Sequence, residues 1–212
     1  LTTNTTGANN TAVGKESLEL NTTGAQGVAV GRKALEKNTT GDNNTAVGHF
    51  ALGENTTGSN NVAIGREALG ANTTGDYNTA VGYFSLTANT TGTGLAAFGQ
   101  GALQASTGSN NTALGALALD ANTTAGNNTG VGYRSLGATS TGDQNTALGA
   151  DSMYTNTTGE YNVAVGRQPL NYNTTGNMNI AIGRQCNYPY HFVVHSLDCW
   201  IFDSRDDGFL YV

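Results

Sequence analysis

The pentapeptide Asn-Thr-Ala-Val-Gly, or a close variant, returns every 17 residues, closing at Gly14, Gly31, Gly48, Gly65, Gly82, Gly99, Gly115, Gly132, Gly149, Gly166 and Gly183. Only the step from Gly99 to Gly115 is one residue short. An ordinary globular core draws on contacts distant in sequence and has no use for so short and strict a period. A solenoid does, because each repeat is one coil stacked on the last. The reading is all-β: a parallel β-solenoid (β-roll) of about eleven 17-residue coils over residues 1–183, followed by a short C-terminal cap or tip over residues 184–212.

Aligning the coils turns the sequence into columns. The position before the marker glycine is always large and apolar: Val13, Val30, Val47, Ile64, Val81, Phe98, Leu114, Val131, Leu148, Val165 and Ile182. Two residues earlier the column is mostly β-branched, as at Thr11, Val28, Thr45 and Val62. Between them stands Ala or, at residue 130, Gly. Large–small–large is the period-two pattern of a strand, and it predicts the bulky residues inside. Four residues past the glycine comes a leucine column, Leu18, Leu35, Leu52 and onward, with Met153 in one coil. It predicts a second short strand or turn-strand closing the interior. The Asn-Thr-Thr-Gly tetrad that follows suits a tight corner, with Asn and Gly tolerating positive φ. A further Asn opens most strands (Asn10, Asn44, Asn61 and equivalents) and predicts an amide ladder along the rod.

So narrow a coil buries few bulky residues against the entropy of ordering 17. The constancy of the small column then matters. Ala12, Ala29, Ala46, Ala63, Ala80, Ala97, Ala113, Ala147, Ala164 and Ala181 are expected to mark the close approach of another copy of the chain. The alternative is that alanine faces a second wall of its own coil.

Segments such as Asn61-Val62-Ala63-Ile64-Gly65 and Asn179-Ile180-Ala181-Ile182-Gly183, with the step Arg66-Glu67-Ala68-Leu69, resemble the head repeats of trimeric autotransporter adhesins of the YadA type. The longer coil with its Asn-Thr-Thr-Gly corner is similar to repeat regions of phage tail fibres. The resemblance spans about Thr3 to Arg184 and implies a homotrimeric β-roll. It further implies an adhesive or structural role outside the cell, on a cell or virion surface, with a host-surface glycan or protein as receptor.

Composition narrows the partners. A formal net charge of −6 offers no basic patch for nucleic acid. No apolar run is long enough to enter a membrane as a helix. The chain opens within a repeat and not with a signal peptide, as a fragment, processed product or part of a larger assembly would. No nucleophile–base set, phosphate loop or paired carboxylates stand out, so neither catalysis nor a cofactor is expected.

Beyond Gly183 the pattern stops and aromatics gather: Tyr188, Tyr190, Phe192, Trp200, Phe202, Phe209 and Tyr211. Cys186, His191, His195 and Cys199 have the residue types of a zinc site, although the histidine spacing would need a helix where the sequence favours strands. The competing reading is a Cys186–Cys199 disulfide. Two further functions are legible. Thr22-Thr23 and their equivalents could stack into columns that order water, as in an ice-binding solenoid. Asn21, Asn38, Asn55, Asn72 and Asn89 begin Asn-Thr-Thr sequons, so a glycan-decorated filament is the other alternative.

Overall fold

The computed structural model describes residues 3–186, 199–202 and 209–211. Eleven short strands follow at the repeat spacing: β1 (Thr11–Val13), β2 (Val28–Val30), β3 (Thr45–Val47), β4 (Val62–Ile64), β5 (Thr79–Val81), β6 (Ala96–Phe98), β7 (Thr112–Leu114), β8 (Thr129–Val131), β9 (Thr146–Leu148), β10 (Val163–Val165) and β11 (Ile180–Gly183). Two more, β12 (Cys199–Phe202) and β13 (Phe209–Tyr211), complete one 13-stranded sheet whose strand order is the chain order. β1 to β11 pair in parallel without slip, Thr11 opposite Val28 and Ala12 opposite Ala29. The solenoid read from the period is therefore the fold. The short coil keeps register, Ala97 opposite Ala113, and loses its residue at the corner, where Ser106-Thr107-Gly108 replaces Asn-Thr-Thr-Gly.

Closure of the coil rests on backbone that most residues avoid. Every marker glycine has φ between 124° and 143°. A Cβ at Gly65 would also stand 2.5 Å from the carbonyl oxygen of Gly82, so both conformation and stacking require glycine. The predicted second strand is absent; the leucine column lies in a run of turns. Its ten members from Leu18 to Leu170, Met153 included, have φ between 46° and 53°. Left-handed backbone costs a leucine roughly 1–2 kcal/mol. Burial of its side chain, worth about 1.5–3 kcal/mol, offsets that. The corner glycine is a different case, and corrects the positive-φ expectation. Gly58 is confined by space, because a Cβ there would lie 2.5 Å from both Asn55 Oδ1 and the Gly75 carbonyl oxygen.

The strand parity is the reverse of the sequence reading. Ala29, Ala46, Ala63, Ala80, Ala97, Ala113, Ala147, Ala164 and Ala181 are fully buried inside their own coil, and Ala12 in the first coil packs partly against the same core. They face the leucines and the Ala or Ser before them. The alanine rank is thus core and not the surface where copies meet, and the bulky Val/Ile/Leu rank points outward. Width decides this. In most coils the interior already holds a leucine and two asparagines, leaving room on the strand for a methyl and no more. At Gly130 even a methyl would approach Ser135 Oγ to 2.8 Å.

Beyond the coils the sheet changes direction. β12 runs antiparallel to β11, with Ile182 opposite Trp200, and β13 antiparallel to β12. Cys186, just past β11, is disulfide-bonded. The only other cysteine in the chain is Cys199, whose side chain lies outside the described residues.

Candidate self-association face

Two sets of asparagines hold the coils together. The sequon asparagines form a side-chain ladder in the interior. Asn38 Nδ2 donates to Asn21 Oδ1 at 2.8 Å, Asn55 to Asn38 at 2.8 Å, Asn72 to Asn55 at 2.9 Å and Asn89 to Asn72 at 3.0 Å. Each also donates to the carbonyl of its own corner glycine, as Asn55 does to Gly58 at 2.9 Å. The strand-opening asparagines work differently. Asn61 Oδ1 accepts the backbone N–H of Asn78 at 2.9 Å, while Asn61 Nδ2 donates to the Gly75 carbonyl at 2.8 Å. The ladder expected of this second set is thus mainly side chain to backbone. The side-chain-to-side-chain ladder belongs to the sequons.

That placement overturns the glycan reading for Asn21, Asn38, Asn55, Asn72 and Asn89. All five amides are buried, and their Nδ2 groups are spent on neighbouring coils. A sugar on any of them would split the stack. Half of the threonine columns are also occupied. Thr22, Thr39 and Thr56 donate their hydroxyls to the next coil's carbonyl at 2.9, 2.9 and 3.0 Å. Thr23, Thr40, Thr57, Thr74 and Thr91 remain as one exposed column.

A third ladder runs through the acidic residues that follow the corner. Asp42 Oδ1 accepts the Ala25 N–H at 2.7 Å, Asp76 Oδ1 that of Ser59 at 2.6 Å, and Asp143 Oδ1 that of Gly126 at 2.7 Å. Its sequence signal is the recurrence of Asp, Ser and Asn in one column, types that accept from backbone N–H.

With the interior closed, the outer side of the sheet is left bare. The rank before the marker glycine stands open to solvent, Ile64 at 41% and Leu148 at 46% exposure, and the rank two residues earlier is half-buried in most coils. From β1 to β11 neither rank holds a charged residue. Eleven strands at about 4.8 Å spacing make an uncharged strip of roughly 50 Å, one rank apolar throughout and the other mixing Thr with Val, Ile and Ala. Its two borders are polar. One carries Asn9, Gln26, Asn43, Asn60 and Tyr77 in left-handed backbone, Tyr77 being 68% exposed. The other carries charges and rings. Lys33 lies 2.8 Å from Glu36 and 3.6 Å from Glu16, and Lys15 lies 3.2 Å from Glu16. Lys15, with Lys33 behind it, holds the Glu16 carboxyl below its ordinary range, and Glu36 raises the Lys33 ammonium.

The same border stacks arginine on aromatic rings. Arg134 sits 4.0 Å above the Tyr154 ring and 5.6 Å from that of Tyr133, with Nε 3.2 Å from Asp151 Oδ1. Gly137 makes room, since a Cβ there would meet the Tyr154 ring at 2.8 Å. Arg66 likewise stands 5.6 Å from the Tyr83 ring and 5.7 Å from the Phe84 ring. Such a strip, apolar along its middle and polar at its rims, has the anatomy of a protein–protein interface.

The structure assembles no zinc set among the described residues. The disulfide removes Cys186 as a thiolate ligand, while His191, His195 and the Cys199 side chain lie outside the described residues. Among the described residues no group of His, Cys, Asp or Glu is arranged to hold a metal ion. Comparisons of the chain with models of known families, with curated proteins and with solved structures return no match.

Proposed function

We propose that this chain is the rod of an extracellular fibre or head module, of the trimeric adhesin or tail-fibre type, in which copies associate through the outward Val/Ile/Leu face. One observation carries the reading: the coil closes its own interior with Ala, Leu and Asn and still leaves an uncharged apolar rank along its whole length. Water contact along such a strip is unfavourable, and a second rod with the same spacing relieves it coil for coil. Three copies close the arrangement around one axis, so that every apolar face turns inward and the polar borders face out. Hydrogen-bonded coils make each rod stiff, which suits a spacer that holds a binding surface away from its anchor.

In this reading the chain is not an enzyme and takes no cofactor. Its partners are copies of itself and a glycan or protein receptor on a host surface. It works on a cell or virion surface, without nucleic acid and without entering a membrane. Repetition along the rod and across copies would supply avidity where a single contact is weak.

Light scattering coupled to size exclusion tests the proposal on the parent chain and on the double variant Val47→Glu/Ile64→Glu. The parent is expected as a trimer and the variant as a folded monomer with unchanged strand signal. A parent that elutes as a monomer at micromolar concentration removes the reading. A second function, ice binding, draws on the exposed Thr23-to-Thr91 column alone. Thermal hysteresis and ice-crystal shaping decide it, and a flat freezing curve rejects it.

A further inference from the structure

The two outward ranks do not stop with the coils. Register carries the rank of Val163 and Ile180 on to Phe202 and then Phe209. The rank of Val165 and Ile182 continues to Trp200 and Tyr211. Residues paired across strands share a parity, so these four aromatics occupy the register positions that in the coils form the apolar face. The middle rank changes in the opposite sense. Ala164 and Ala181 are followed by Ile201 and Leu210.

We infer that the β12–β13 hairpin extends the association face and supplies its strongest contacts to a second copy of this chain. The inference rests on the reading that copies meet through the Val/Ile/Leu ranks.

Size and chemistry point to a second copy. Thirteen strands at about 4.8 Å, each roughly 10 Å wide, give a face near 600 Å² per chain. That is close to the roughly 800 Å² per partner that stable complexes bury. The hairpin adds a small part of the length but four aromatic positions, two of them in each rank. Large aromatics buried in a dry contact carry an outsized share of the energy in protein interfaces. They also solve a problem the coils create. A strip of near-identical coils can slide by one repeat at small cost, whereas an aromatic end fits only its equivalent on the neighbour. The hairpin therefore sets the register of the assembly.

The test replaces the aromatics with residues that the same ranks already accept in the coils: Trp200→Val, Phe202→Thr, Phe209→Thr and Tyr211→Val, together in the full chain. Sedimentation equilibrium over a dilution series gives the concentration of half-dissociation. Circular dichroism and protease resistance, measured on the dissociated chains, report on the rod itself. A rise of about tenfold or more, with the rod intact, supports the inference. An oligomeric parent whose quadruple variant dissociates at the same concentration overturns it and leaves the underlying reading in place. Dissociation accompanied by melting of the rod also overturns it, and assigns the hairpin to closing the last coil instead. A parent that is monomeric throughout removes the underlying reading, and this inference with it.

Discussion

Asn55→Asp tests the interior ladder with almost no change in shape. In the parent, Asn55 Nδ2 donates to Asn38 Oδ1 at 2.8 Å and to the Gly58 carbonyl at 2.9 Å, while Oδ1 accepts from Asn72 Nδ2 at 2.9 Å. A carboxylate keeps the last bond and turns the first two into oxygen–oxygen contacts in a fully buried place. A stranded buried acceptor costs about 1–3 kcal/mol. The Gly58 carbonyl is partly compensated, since Asn44 Nδ2 also donates to it at 2.7 Å. The expected loss at neutral pH is about 3 kcal/mol, which amounts to local opening more than a hundredfold more frequent.

Acidification should help the variant. Burial beside two acceptors favours the protonated carboxyl, so the folded pKa lies above the unfolded value of about 3.9. The folded form then binds more protons, stability falls as pH rises through that window, and the deficit relative to the parent shrinks below it. Hydrogen exchange at the Thr56 and Thr57 amides, both bonded to the Thr73 carbonyl, reads the opening locally. Thr57→Ala on the surface is the control, expected within about 0.5 kcal/mol of the parent. A variant as protected as the parent at neutral pH, or one whose deficit grows on acidification, would refute the ladder argument.

Gly65→Ala should break one coil, since its φ of 133° and the Gly82 carbonyl 2.5 Å from the added Cβ leave no local adjustment; limited proteolysis should cut near residue 65, and an uncut chain would contradict this. Burial pushes the Asp120 carboxyl above its ordinary range, against the N–H groups of Asp120 and Ala121 and the charge of Arg134. Its contribution to stability is therefore full below the ordinary carboxylate pKa and lost as pH rises through the raised folded value. Asp120→Asn should flatten the melting-temperature profile from the ordinary carboxylate pKa upward to the raised one, and an unchanged slope would count against it. Expressed in a glycosylating secretory host, the folded rod should stay unmodified at Asn38, Asn55 and Asn72, whatever sugar the exposed sequons at Asn4, Asn9, Asn43, Asn110 and Asn127 take up; a glycan mapped to Asn38, Asn55 or Asn72 in a protease-resistant rod would contradict the buried ladder.

The period, the strand positions, the parallel stacking and the need for glycine at Gly14 and its equivalents were all legible in the sequence. Each follows from one coil laid on the next, so that any residue must suit its own copy 17 positions away. Equally legible was that Asn, stacked on itself, should bond along the axis. What the letters could not give was the side of the strand that faces in. Alternation fixes that Val13 and Ala12 point to opposite sides, but the inner side is set by the direction in which the chain closes. That direction comes from the left-handed backbone at Leu18 and the residues like it, and from the space left once leucine and two amides fill the coil. Assigning the bulky rank to the interior was reasonable for a broad core and wrong for one this narrow. The same closure turned Asn21 and Asn38 from candidate sugar acceptors into interior rungs, and it put alanine inside the coil and valine on its outer face. Sequence determined what repeats along the axis; only the closed coil decided what lies inside it.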